Sequence, residues 1–268
     1  MNSPSFPNLS LSDIRNAIPK QCRNKIDEIL IHQSVGSTND ELWQRLQQGK
    51  TNPAVCLSES QTAGRGRQGD QWQSPNSGNL YLSISWAFPA DMPQSGLSIA
   101  IGISLINLLK SEGINDLQLK WPNDILHNRA KLAGILVESR FGNQLQTVIG
   151  IGLNFKLPTA AKNKIQQTTT SLQQLCTQIP CRNELAGKII HTMINTLENF
   201  QSHGLQDFIP HWANYDALAN QSINLISDDS PPLNVTAEGI NQQGELLYRH
   251  NGQLHTLSNS HISIRFAS

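Results

Sequence analysis

The sequence predicts an α+β fold in which a largely antiparallel or mixed β-sheet packs with helices and a small β-barrel follows. Several predicted strands follow one another directly through hairpins, so the strict strand–helix alternation of a parallel α/β protein is missing. Apolar residues recur at helical spacing at 97–109 and 185–200. After Asn220 only short alternating segments remain. We therefore expect two domains, residues 1–216 and residues 217–268.

Short segments of mixed polarity open the chain. A helix is predicted over residues 12–17, and Ile29 and Ile31 indicate the first strand. Thr38-Asn39-Asp40-Glu41 matches a capping box, in which the Thr38 hydroxyl caps the backbone amide of Glu41. The helix that begins there is expected to end at Gly49, and the apolar segment AVCLSES predicts a buried strand after it.

Changes of apolar period define the middle of the chain. Residues 79–86, NLYLSISW, alternate as a half-buried strand does, whereas residues 97–109 predict a helix that ends at Gly113. Further strands are predicted in LQLKWPND, ILHNRAKLAGILVES and LQTVIGIGLNF, with turns at Asn128-Arg129 and Gly142-Asn143.

A polar loop, a long helix and a set of short strands make up the rest. Residues 156–181 have little periodicity, which is typical of a functional lid or a disordered segment. The helix over 185–200 ends at Gly204. The short strands beyond it are separated by turns at Asp228-Asp229, Gln243-Gly244 and Asn251-Gly252.

Composition and charge exclude several classes of protein. Twenty basic residues balance twenty acidic ones, which disfavours a dedicated nucleic-acid-binding protein. The N-terminus lacks the pattern of a signal peptide, and the longest apolar stretch is too short and too polar to cross a bilayer. The four cysteines form no C-x-x-C, so we expect reduced thiols and no fixed metal site. A cytoplasmic protein without nucleic-acid or membrane partners is predicted.

Gly64-Arg65-Gly66-Arg67-Gln68-Gly69 has the spacing of a dinucleotide-binding fingerprint, G-x-G-x-x-G. That motif requires a helix that starts within it, but the turn-forming segment DQWQSPNSG follows. The alternative is a mobile loop whose two arginines offer planar donors to carboxylate or phosphate oxygens. An isolated loop of this kind could equally be a solvated surface turn.

The loop belongs to a larger set of motifs. GRGRQG, KWPNDI, KLAGILVE and GIGLN follow in this order, with Ser37-Thr38-Asn39 before them and Thr170-Ser171-Leu172 after them. In order and spacing the set resembles the catalytic domain of biotin protein ligases over roughly residues 30–215. The resemblance implies a mixed sheet with helices on one face, as in class II aminoacyl-tRNA synthetases and lipoate ligases, and an SH3-like C-terminal barrel.

The resemblance also implies an activity. Family members convert biotin and MgATP to biotinyl-5′-adenylate and pyrophosphate, and then transfer biotin to a lysine of the biotin carboxyl carrier protein of acetyl-CoA carboxylase. About thirty residues precede the matched core, fewer than the winged helix-turn-helix of many bacterial relatives, so we expect a ligase without repressor function. A monomer or a weak homodimer is expected. Lipoate or octanoate ligation, or biotin sensing without turnover, are the alternatives.

Site residues follow from the matching positions. Biotin would contact Ser37, Thr38, Asn39, Gln61, Arg65, Gly66, Arg67, Lys131 and Gly134. The nucleotide would contact Arg65, Trp72, Lys120, Asn123 and Asn154. The catalytic group would comprise Lys131, Arg67 and Asp124. Lys131 would bridge the biotin carboxylate and the α-phosphate, and Asp124 would position that lysine or Mg²⁺. For Ser37 and Thr38, helix capping alone is the alternative. One departure is Asp70, where many relatives carry a basic residue.

Overall fold

The computed structural model describes residues 7–76, 78–156, 168–227, 230–258 and 262–267. Residues 157–167 of the polar segment predicted as a functional lid or a disordered segment, and the predicted turn at Asp228-Asp229, lie outside these ranges. Within them, the secondary structure forms two sheets and a layer of helices.

A seven-stranded mixed sheet forms the centre of the molecule, in the order β1-β2-β3-β7-β6-β5-β4. The first two strands are parallel and every other neighbouring pair is antiparallel. The strands are β1 (Glu28–His32), β2 (Ala54–Ser58), β3 (Leu80–Phe88), β4 (Leu117–Lys120), β5 (Asp124–His127), β6 (Ala130–Arg140) and β7 (Leu145–Leu153). The predicted mixed sheet is confirmed, and the turn at Asn128-Arg129 adopts positive φ at both residues.

Seven α-helices are present among the described residues. They are α1 (Leu11–Ala17), α2 (Lys20–Arg23), α3 (Thr38–Gln47), α4 (Leu97–Ser111), α5 (Leu172–Leu175), α6 (Arg182–His203) and α7 (Ile209–Trp212). The long helices α4 and α6 pack on each other, and α1 packs on α6. Together they form the expected helical layer on one face of the sheet.

Helix α3 lies on the opposite face. Successive residues of a strand point to opposite faces of the sheet. In the fully buried strand β2, Val55 and Leu57 join the large core beneath α4 and α6, whereas Ala54 and Cys56 join a smaller core with Leu42 of α3. A strand buried on both sides explains why AVCLS is continuously apolar.

A buried ion pair ties the N-terminal segment to the helical layer. Arg182 at the start of α6 bonds Glu59 through two parallel contacts of 2.7 and 2.8 Å. The two side chains are 1% and 2% exposed. The same guanidinium also donates to the backbone carbonyls of Pro7 and Asn79. Strand end, N-terminal segment and helix are thereby joined at one point.

The C-terminal part is a five-stranded antiparallel sheet in the order β11-β10-β9-β8-β12. Its strands are β8 (Ser222–Ser227), β9 (Ser230–Ile240), β10 (Leu246–His250), β11 (Gln253–Leu257) and β12 (Ser263–Phe266). The indole N–H of Trp121 donates to the Gly244 carbonyl at 2.9 Å, which joins the two sheets. The boundary at residues 216 and 217 stays a prediction. No helix within the described ranges has the length and apolar character needed to span a membrane.

The predicted capping box is wrong. Ser37 occupies the N-cap position of α3, and the Glu41 amide bonds the Ser37 carbonyl, as in an ordinary helical turn. The Thr38 hydroxyl instead contacts the side chains of Gln61 and Ser83. Because α3 starts against a buried polar cluster, the hydroxyl finds side-chain partners there and is not available to the helix end.

Candidate functional site

All the residues predicted for the site line one cavity of about 770 Å³. It opens at the centre of the seven-stranded sheet, between the start of α3, the turn from β4 to β5 and the loop from β2 to β3. Residues missed by the sequence analysis that line it include Gln71, Tyr81, Arg129, Gly150, Gly152, Thr169 and Arg265.

The glycine loop is folded as a hairpin. Three backbone hydrogen bonds close it. The Gln61 N–H donates to the Ser74 carbonyl at 3.0 Å, the Trp72 N–H to the Gly64 carbonyl at 2.9 Å, and the Gly66 N–H to the Asp70 carbonyl at 2.7 Å. Its tip is a 3-10 turn over Arg67–Gly69, and strand β3 follows the loop. Since no α-helix starts within the motif and strand β3 follows it, the dinucleotide-binding interpretation is excluded.

Lys120 lies close to the Asp124 carboxylate and to three other cations of the cavity. Lys131 Nζ lies 2.7 Å from Asp124 Oδ1, and the side chains are 18% and 12% exposed. Lys120 lies opposite Asp124 in the β4–β5 register. The other cations close enough to influence Lys120 are Arg67 and Arg265. Basic side chains outnumber carboxylates in the lining of the cavity, which favours a ligand with several negative charges.

Burial alters the proton affinity of two of these cations. It lowers the pKa of the Lys120 ammonium; Asp124 raises this pKa, and the neighbouring cations lower it further. Burial also lowers the pKa of the Arg67 guanidinium, whereas Asp124 and Asp70 raise it. Asp70, the departure from the family pattern, is exposed and acts on the site through Arg67. An anion that enters the cavity would lower the free-energy cost of keeping these groups charged.

Trp72 lies over a platform of two glycines. Gly134 and Gly152 are directly opposed in the β6–β7 register. A Cβ atom built on Gly152 would lie 2.4 Å from the indole, and one on Gly134 would lie 2.9 Å from it. The Lys131 ammonium is 5.0 Å from the ring centroid. Trp72 is therefore half-buried in the cavity, because the two glycines have no side chains and leave room for its ring.

A chain of polar contacts includes three residues that line the cavity, Thr38, Asn39 and Gln61. Ser83 Oγ lies 2.7 Å from Thr38 Oγ1 and 2.6 Å from Asn39 Oδ1. Thr38 donates to Gln61 Oε1 from both its backbone N–H and its hydroxyl. Gln61 Nε2 donates to Ser74 Oγ at 2.8 Å. Buried polar groups arranged in this way suit a ligand with a small polar ring.

Arg65 is held by carboxylates outside the cation cluster. Its guanidinium contacts Asp40 at 2.7 Å and both oxygens of Glu138 at 3.0 Å. Glu138 also accepts from Asn39 Nδ2 at 2.7 Å. The arginine predicted to contact both ligands thus has acidic partners already, and the Glu138 link was not predicted because the two residues are far apart in the chain.

Two asparagines brace the backbone of the site. Asn123 Nδ2 donates to the Ile135 carbonyl at 2.7 Å, and its Oδ1 accepts from Arg67 at 3.3 Å. Asn154 Nδ2 bonds the carbonyls of Lys131 and Thr170. The predicted nucleotide contact of Asn154 would therefore fall to its oxygen. These bonds hold the Thr170-Ser171-Leu172 segment against the site. The Thr170 backbone N–H also donates to the Lys131 carbonyl at 2.9 Å.

Comparisons with known proteins point to one family. Residues 31–154 match the biotin/lipoate A/B protein ligase family. The chain is 34% identical to the bifunctional ligase/repressor BirA of Escherichia coli over 253 residues, which cover 92% of this chain and 78% of that protein. It is 34% identical over 165 residues to the biotin–[acetyl-CoA-carboxylase] ligase of Mycobacterium tuberculosis, 59% of each chain.

Solved structures support the same fold. A biotin protein ligase from Aquifex aeolicus in complex with biotin and ATP superposes with a TM-score of 0.75 at 21% identity, over 90% of this chain and 100% of that one. A biotin protein ligase from Leishmania major in complex with biotinyl-5-AMP gives 0.53 at 22% identity, over 87% and 99%. At these identities the similarity establishes the architecture.

Proposed function

The chain belongs to the biotin protein ligase family, and we propose that it activates biotin with ATP and transfers it to a lysine of a biotin carboxyl carrier protein. In the first step a biotin carboxylate oxygen bonds the α-phosphorus and the bond to the β-phosphate bridge breaks, so pyrophosphate leaves. In the second step the lysine amine attacks the acyl carbon, AMP leaves and the amine loses a proton.

The observation that carries this proposal is the Lys131–Asp124 ion pair, with Lys120 opposite Asp124 and with Arg67 and Arg265 in the lining of the same cavity. Both reactants of the first step are anions, and negative charge develops on the pyrophosphate as it leaves. Preorganised cations lower that barrier more effectively than mobile solvent does. Lys131 is our candidate for the residue between the carboxylate and the α-phosphate, because Asp124 fixes its ammonium among these charges.

Two groups of residues in the cavity suit the two substrates. Trp72 offers an aromatic surface for the adenine, next to the cations that would meet the phosphates. The buried polar chain from Ser83 to Gln61, with Ser37 and Asn39 beside it, would receive the ureido ring. A lipoate dithiolane has no conventional hydrogen-bonding group of this kind and would leave those buried groups unsatisfied. Biotin is therefore the favoured acid.

Mg²⁺ enters this proposal as part of the nucleotide substrate, MgATP. Asp124 is the buried carboxylate that lines the cavity, and Lys131 already occupies one of its oxygens. The described residues contain no group of three His, Cys, Asp or Glu suited to a metal ion. These residues do not fit a protein-held Mg²⁺ site, and we assign the ion to the triphosphate, where Mg²⁺ keeps most of its ligands.

A competition assay tests the proposed function. The protein is incubated with MgATP and either biotin or lipoate, and pyrophosphate release is followed. Biotin-dependent release, followed by labelling of a carrier domain on a single lysine, is the expected result. Release that depends on lipoate alone would assign the chain to lipoate ligation.

A further inference from the structure

We propose that Ser74 is a positioning residue for this reaction: together with the Thr38 backbone N–H it fixes which end of the Gln61 side-chain amide meets biotin, and it links that amide to the backbone of Trp72. The inference rests on the proposed function, because it concerns how the same cavity selects its acid. Ser74 does not belong to the motifs that predicted the site, and it is 6% exposed.

The direction of the hydrogen bonds fixes the orientation of the amide. A side-chain amide has a donor end and an acceptor end of nearly equal shape, so its orientation depends on its partners. At one end the backbone N–H of Thr38, which can only donate, lies 2.9 Å from Gln61 Oε1. At the other end the Trp72 carbonyl, which can only accept, lies 3.0 Å from Ser74 Oγ.

The hydrogen bond from Ser74 to the Trp72 carbonyl determines which hydrogen bond Ser74 can form with Gln61. Since its single hydroxyl hydrogen goes to the Trp72 carbonyl, its oxygen must accept from Gln61 Nε2 at 2.8 Å. Gln61 Oε1 already accepts twice, from the backbone and the hydroxyl of Thr38. The group of the Gln61 side chain that remains for a ligand is therefore the second N–H of Nε2, which is a donor.

A donor at this position selects for a carbonyl oxygen. The ureido C=O of biotin can accept the remaining hydrogen. 2-Iminobiotin has a C=NH in that place, which becomes a guanidinium when protonated and then can only donate. The fixed amide therefore discriminates between two molecules of almost the same shape, because a ligand donor facing a protein donor leaves both unsatisfied.

Packing around Gly64 holds in place the hydrogen bonds that run from the Trp72 carbonyl through Ser74 to Gln61. A Cβ atom on Gly64 would lie 2.6 Å from both Ser74 Oγ and the Trp72 carbonyl, and 3.0 Å from Gln61 Nε2. The glycine thus admits all three groups to one contact. The Ser74 hydroxyl thus joins the Gln61 side chain to the backbone of the residue whose ring lies over Gly134 and Gly152.

Binding measurements with the full chain test this role. We would titrate the wild type, Ser74→Ala and Ser74→Cys with biotin and with 2-iminobiotin by calorimetry. Both substitutions remove the strong acceptor, and cysteine keeps a side chain of similar shape. The ratio of the two Kd values should fall by about three- to tenfold, the ratio expected for one hydrogen bond.

A matched control separates positioning from packing. Ser85 is also buried, and its hydroxyl bonds the backbone of Ala54 away from the cavity. Ser85→Ala should leave the ratio of the Kd values for biotin and 2-iminobiotin unchanged, even if it lowers the Tm of the protein as much as Ser74→Ala does. An unchanged ratio in both Ser74 variants, with normal wild-type discrimination, would overturn the role of Ser74 alone. Wild-type biotin binding without pyrophosphate release would overturn the proposed function instead, and absence of biotin binding would overturn both.

Discussion

Lys131 Nζ and Asp124 Oδ1 are 2.7 Å apart, and both side chains are largely buried. The two residues come from neighbouring strands, β5 and β6, on either side of the turn at Asn128-Arg129. The carboxylate therefore holds the ammonium in one place while the other cations of the cavity repel it. This pair lines the cavity of the proposed adenylation site.

Asp124→Asn should slow adenylation without weakening ATP binding. The substitution releases the Lys131 ammonium, and misplacement of a reacting group by about 1 Å can cost about 10²-fold in rate. It also removes a negative charge from an anion site, so the KM for ATP should stay the same or fall. Pyrophosphate release at varied ATP concentrations measures both values. Glu198→Gln, which breaks the surface pair with Lys25, is the control and should change neither.

Gly152→Ala should raise the KM for ATP. Its new methyl group would lie 2.4 Å from the Trp72 indole, so the ring has to leave its platform. Gly142→Ala is the control, because the nearest atom to its new methyl group is 3.6 Å away. Equal KM values for ATP in the two variants would disprove the assignment of Trp72 to the nucleotide.

Lys120→Met should raise Tm while it weakens ATP binding. Burial lowers the pKa of Lys120 in the folded protein, so at neutral pH the charged lysine is a cost to folding that methionine removes. A gain of about 1 kcal/mol would raise Tm by about 2–4 °C. Differential scanning calorimetry and ATP titration measure the two effects.

The stability difference between Lys120→Met and the wild type should depend on pH with a definite sign. Because the pKa of Lys120 is lower in the folded state, the unfolded state binds more protons, so wild-type stability rises with pH between the folded pKa and the ordinary lysine pKa of 10.5. The advantage of Lys120→Met should be complete below the folded pKa and disappear as the pH rises through that interval. A constant advantage up to pH 10.5 would contradict the assigned cause.

Arg182→Met should destabilise the fold strongly. It leaves the Glu59 carboxylate buried without its cation, which typically costs about 3–5 kcal/mol. Adding Glu59→Gln should recover part of this loss, and urea denaturation of the single and double variants measures both. Arg249→Ala breaks an exposed pair and should have little effect on unfolding. A similarly small effect of Arg182→Met would show that the buried pair is not needed.

Much of the site could be predicted because its motifs lie at strand ends that the sheet brings together. Lys120 and Asp124 face each other across a short turn, and Gly134 faces Gly152 in the β6–β7 register. Local pattern also predicted the strands and the long helices, since alternation and helical spacing are read over a few residues.

Partners that are distant in the chain could not be predicted in this way. The contact of Arg65 with Glu138 joins residues 73 positions apart. Arg265 reaches the cavity from β12, in the other sheet. The Thr38 hydroxyl matched a local capping pattern but found Gln61 and Ser83, because tertiary partners in a buried cluster outweigh a local bond.

Pyrophosphate release by the wild type and by Lys131→Ala, with MgATP and biotin, tests the central claim most directly. We expect biotin-dependent release in the wild type and a loss of about 10²–10³-fold in the variant, as for the removal of one preorganised donor. Unchanged release in Lys131→Ala would contradict the role of that residue. Binding of biotin by the wild type without any release would contradict adenylation itself and leave a biotin-sensing protein.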